Sequence, residues 1–153
     1  MTNANRHIQI ENHLFMQEIT RMFMMGKQSV TITVRGYSMR PFLEDRRDKV
    51  ILTPPRTPKI GDVVLAAVAK ERYAMHRVIS IRENVYTMQG DGNPNSMTEQ
   101  FTSDDIIGIA QAFIRKGKTI TIDSFRWRAY SCVWHILKPM RRILLGIYRR
   151  IAK

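Results

Sequence analysis

The chain has 153 residues, with 25 Lys or Arg against 13 Asp or Glu, for a formal net charge of +12. A hydrophobic content of 44% excludes a disordered chain, and the length leads us to expect one domain with a modest core. The single cysteine, Cys132, rules out an intrachain disulfide and cannot form a metal site by itself.

The amino terminus, Met1 to His7, is polar and lacks the apolar core of a signal peptide. Residues 11–25 read as a short amphipathic helix: Leu14, Phe15, Ile19, Met22 and Phe23 recur near helical spacing, and Gly26 is placed to end it. Such a methionine-rich face is more often core than a peptide-binding surface. Val30-Thr31-Ile32-Thr33-Val34 alternates as a strand should. It runs into Gly36-Tyr37-Ser38-Met39-Arg40-Pro41, where a small hydroxyl residue sits between a glycine and a proline at a strand end. Glycine lets a substrate backbone approach and proline fixes the turn, so a nucleophile can be held there exposed and rigid. An ordinary turn with a capping serine accounts for these six residues equally well.

Next come the apolar strand Lys49 to Leu52, the turn and strand Ile60 to Leu65, His76-Arg77-Val78-Ile79, Gly90-Asp91-Gly92-Asn93, and a closing strand from Asp105 to Ala110. Short strands separated by turns at glycines and prolines, from 29 to 122, predict a mainly β body, a coiled antiparallel sheet or barrel-like sandwich. The predicted division is a helical segment at 1–28, this β domain at 29–122 and a basic tail at 123–153.

The tail from Ser124 onward has eight basic residues and no acid. Trp127, Tyr130, Trp134 and Leu137 share one helical face. Pro139 should break or restart the helix, and Met140, Ile143, Leu144, Ile147 and Ile151 form a second apolar stripe with Arg142, Arg149 and Lys153 opposite. Basic residues beside a tryptophan-bearing face suit an anionic membrane surface, and packing on the chain's own domain suits them nearly as well. Nucleic acid is the least favoured partner, because no helix-turn-helix pattern precedes the β body. No run of ~18 apolar residues occurs, so neither a cleavable signal peptide nor a transmembrane helix is expected. The expected location is the cytoplasm or the cytoplasmic membrane face. The four histidines show no paired ligand spacing and there is no glycine-rich nucleotide loop, so no metal and no cofactor are expected.

The ordered set of the serine box, Gly61-Asp62-Val63-Val64 and His76-Arg77-Val78-Ile79 resembles the superfamily that joins signal peptidase I to the LexA-type self-cleaving repressors. The resemblance covers roughly residues 30 to 115. Where bacterial signal peptidases carry a lysine base, this chain reads His76, as the endoplasmic-reticulum and archaeal enzymes do. An imidazole titrates near ~6.5 and needs little tuning to accept a serine proton at neutral pH. Lys70 is the fallback base. The resemblance implies a serine endopeptidase with Ser38 as nucleophile, cleaving a leader or signal-like peptide after small residues. The Ser38 amide is the natural oxyanion donor, with Gly36 and Tyr37 shaping the hole; Tyr37 and, more readily, Met39 serve instead as plain apolar contacts.

In the histidine-type relatives two further aspartates belong to the site. Asp91 matches the first, either orienting His76 as a third catalytic group or fixing a glycine turn. The second has no counterpart: Met97 falls near its position and Glu99 is the nearest acid. The alternative function is a non-catalytic or regulatory member of the same fold that binds an extended peptide or partner protein. Self-cleavage is disfavoured, because residues 1–35 contain no Ala-Gly pair.

Overall fold

The computed structural model describes residues 3–151. Lys153, counted above among the basic residues of the tail, lies outside the described residues, as do the side chains of the first eleven residues and of Arg149. The chain is mainly β. Helix α1 (Asn3–Met24) leads into strands β1 (Val30–Thr33), β2 (Lys49–Thr53), β3 (Val63–Ala69), β4 (Arg72–Arg82), β5 (Val85–Gln89), β6 (Glu99–Phe101), β7 (Ile106–Arg115) and β8 (Lys118–Thr121). Helix α2 (Phe125–Ile136), a 3₁₀ turn (Lys138–Met140) and helix α3 (Arg141–Ile151) follow. The strands form one antiparallel sheet in the order β1-β2-β7-β3-β4-β5-β6, with β8 paired to β7. The sheet is open, with β1 and β6 at the ends of that path.

Local sequence explains the turns. At β7–β8 the two linking residues, Lys116 and Gly117, both have positive φ (49° and 76°), the twist that a tight hairpin needs. Gly26, at φ 88°, ends α1 with paired bonds from Lys27 N–H to Met22 O and from Gly26 N–H to Phe23 O, both 3.0 Å. Helix α1 begins well before the expected residue 11, because its first turns lack the apolar recurrence that marks a buried helix. Of its apolar face, Ile19 and Phe23 enter the core, while Leu14 and Phe15 stay exposed.

The main core gathers Ile19, Phe23, Ile32, Val50, Leu52, Val63, Leu65, Phe113 and Trp127. A second cluster, around Val64, Val78, Tyr86, Met88 and Phe101, fills the other side of the sheet. Trp127 belongs to the first cluster, which corrects the expectation that the tryptophans of the tail face a membrane. Its ring lies 4.4 Å from that of Phe113 and 4.9 Å from that of Phe42, centroid to centroid. Trp134, also buried, donates its indole N–H to the Asp91 carbonyl at 3.2 Å. Helical spacing identified the face correctly, and the sheet covers it. Pro139 acts as expected: α2 stops at Ile136, and α3 restarts at Arg141 after a single 3₁₀ turn.

Candidate active site

Ser38 sits in a turn just beyond β1. Gly36 enters it at φ 84°, a left-handed conformation that a side chain would oppose, and its N–H donates to Asp45 Oδ1 at 2.8 Å. Arg40 N–H closes the turn on Tyr37 O at 3.2 Å. Arg40 is itself paired with Glu44, and its guanidinium lies 4.1 Å from the Tyr37 ring centre. The hydrogen bond from Arg40 holds the Glu44 carboxyl below the usual carboxylate range.

A second turn braces the first. Gly92 N–H donates to Ser38 O at 2.7 Å, and Asn93 N–H to Gly90 O at 3.0 Å. A Cβ at Gly92 would lie 2.6 Å from Tyr37 O, and one at Gly90 would collide with Ser38 O. These two glycines are required by close approach, not by φ.

His76 lies on β4, with its side chain 6% exposed, and its Nδ1 meets Glu99 Oε2 on β6 at 2.8 Å. In the neutral imidazole this contact selects the tautomer with the proton on Nδ1 and the lone pair on Nε2. Ser38, His76 and Glu99 line a single cleft of about 570 Å³, along with Val34, Gly36, Met39, Arg72, Ala74, Met75 and Met97. No hydrogen bond joins Ser38 to His76, whose ring pairs only with Glu99 among the described residues.

Asp91 is not at this cleft. Successive side chains on a strand point to opposite faces, so His76 and its neighbour Arg77 serve different sites. Arg77 takes Asp91 in a two-pronged pair, Nε to Oδ1 at 2.9 Å and Nη2 to Oδ2 at 2.8 Å. Tyr130 O–H adds a third bond to Oδ2 at 2.9 Å. Arg77 also reaches Ser131 Oγ at 2.9 Å and lies 4.6 Å from the Trp127 ring centre. Burial pulls the Arg77 guanidinium down, but the Asp91 charge and hydrogen bonds, with Tyr130, together outweigh it and leave its pKa raised. Burial, and then the Asp91 charge, push the Tyr130 phenol far above its ordinary value, so it stays a donor. Of the two roles expected for Asp91, the third catalytic group is corrected and the turn residue fits its contacts: the partner of His76 is Glu99, and Asp91 holds the Gly90–Asn93 turn against the serine turn.

The remaining candidates separate in the same way. Gly36 and Met39 line the cleft, and Met39 is part of the core floor beneath it. Tyr37 is exposed and lies outside the lining, beneath Arg40. Lys70, the fallback base, is exposed between β3 and β4 and is not among the lining residues. Among the described residues no three His, Cys, Asp or Glu side chains gather as a metal site would require. Among the described residues no helix is long and apolar enough to cross a membrane. Compared with family models, curated proteins and solved structures, the chain matches none.

Proposed function

We propose that the chain is a serine endopeptidase that cuts an extended leader- or signal-like peptide, with Ser38 as nucleophile and His76 as general base. The observation that carries this reading is the convergence of Ser38 and the His76–Glu99 pair on one cleft from three separate segments. The ordered sequence boxes that resemble the signal peptidase and LexA superfamily support it independently.

The chemistry follows from the tautomer. Nε2 of neutral His76 takes the Oγ proton as Ser38 attacks the scissile carbonyl. The imidazolium, steadied by Glu99, returns that proton to the leaving amine as the C–N bond breaks. Water then attacks the acyl-serine by the same route and releases the second product. The Ser38 amide is the candidate donor to the oxyanion.

The cleft also suits an extended backbone. Strand β4 pairs with β3 from Arg72 onward but with β5 only from Arg77 onward, so residues 72–76 have one free edge. That edge lines the cleft opposite Val34, Arg35 and Gly36, where a peptide can add as a strand. Ala74, Met75 and Met97 offer a shallow apolar lining for small side chains.

The competing reading is a peptide-binding scaffold without catalysis, favoured by the missing Ser38–His76 hydrogen bond. Peptides with small residues before the scissile bond, incubated with the chain and read by mass spectrometry, separate the two. Ser38→Ala and His76→Ala should each cut the rate by about a thousandfold or more with the fold intact. Wild-type protein that binds peptide and leaves it whole would establish the scaffold reading.

A further inference from the structure

We propose that the outward face of α3 binds an anionic lipid surface as a peripheral helix lying in the plane of the headgroups. This inference is independent of what the cleft does.

Five large apolar side chains are left in solvent at the end of the described chain. Ile136 is 68% exposed, Met140 50%, Ile143 63%, Ile147 51% and Ile151 77%. Within α3, the spacing of four puts Ile143, Ile147 and Ile151 in one stripe, and Ile136 and Met140 lie just before that helix in the chain. Isolated exposed apolar residues are ordinary, whereas a row of three isoleucines on one helix face asks for a covering surface.

The domain does not supply that surface, because the inward face of α3 is already engaged. Arg141 donates to Gln89 Oε1 at 2.9 Å, Leu145 is buried, and Tyr148 O–H donates to Glu44 Oε2 at 3.2 Å. At ~100° per residue, these three share one side of the helix and Ile143, Ile147 and Ile151 lie away from it.

The occupant is chosen by charge. Arg142 and Arg150 are exposed, and Arg150 falls next to Ile143 around the helix. No acidic residue occurs from Ser124 to the end of the chain. A second copy applied to this face would set like charges against each other. Nucleic acid would satisfy the arginines and leave the isoleucines in water. Anionic headgroups over acyl chains satisfy both. The tryptophans of α2 have no part in this, since both are buried.

The full chain should be sedimented with vesicles of phosphatidylcholine alone and with about 30% phosphatidylglycerol added. It should pellet with the second and stay in solution with the first, and binding should fall at least about tenfold in ~0.5 M salt. Both Ile143→Ser/Ile147→Ser and Arg142→Glu/Arg150→Glu should weaken binding by about tenfold or more at an unchanged melting temperature, which the exposure of these side chains allows. Failure of the wild type to pellet with anionic vesicles overturns the proposal. So does binding that ignores the serine pair, or a dimer in solution that the serine pair dissociates.

Discussion

Arg77 grips Asp91 through both carboxylate oxygens, at 2.8 and 2.9 Å, on the side of β4 away from the candidate base. The pair is buried and capped by Tyr130, so it ties the Gly90–Asn93 turn to the sheet. That turn in turn holds Ser38 by its carbonyl. Asp91 therefore acts on the position of the serine rather than on the proton of His76.

Asp91→Asn should accordingly behave as a folding lesion. Removing one partner leaves the Arg77 charge buried without compensation, a loss of about 3–5 kcal/mol in denaturant unfolding. Any peptide cleavage that remains should keep the wild-type pH midpoint. A normal melting curve with a shifted pH profile would instead place Asp91 in the proton path.

Glu99→Gln is the opposite case. The amide retains the shape of the carboxylate and loses its charge, so stability should change little while cleavage falls by about 10²–10⁴-fold. An unchanged rate would remove Glu99 from the site.

Acid stability should depend on Asp48. Its side chain is fully buried and accepts from Glu44 N–H at 2.9 Å, Lys116 N–H at 3.2 Å and Arg47 at 2.8 and 2.9 Å. Burial raises its pKa, but Arg47 and the two amides outweigh it and leave the carboxyl lowered. A folded value below the unfolded one, near ~3.9, means that the contribution is present above that pH and is lost as pH falls through the folded value. Melting temperature measured from neutral pH down to about 2 should drop below pH ~4 in the wild type. Asp48→Asn should start lower and show a flatter decline.

Much of the fold was legible in the residues. Alternation marked β1, apolar runs marked β2 and the first half of β7, and Gly26 and Pro139 ended or broke helices where their backbone chemistry requires it. What was hidden is what periodicity does not carry. The spacing of Trp127, Tyr130 and Trp134 defines a face but says nothing of what covers it, and here the sheet and the Arg77–Asp91 pair do so. The same holds for Asp91. It follows a glycine in a familiar pattern, but its partner is decided by whether His76 or Arg77 points toward it, and strand alternation gives it to Arg77. Glu99 was visible as the nearest acid, and only the pairing of β6 with β5, beside β4, brings it to His76.

The Asp91 cradle also orders events in time. Every side chain that lines the cleft is present once residue 99 has been made. The hydroxyl and indole that close around Asp91 come from Tyr130 and Trp134, a further stretch down the chain. On the ribosome, a nascent chain that has emerged only through β8 holds the whole cleft with its brace half built. The two α2 contacts on Asp91 are therefore the last part of the brace to be made.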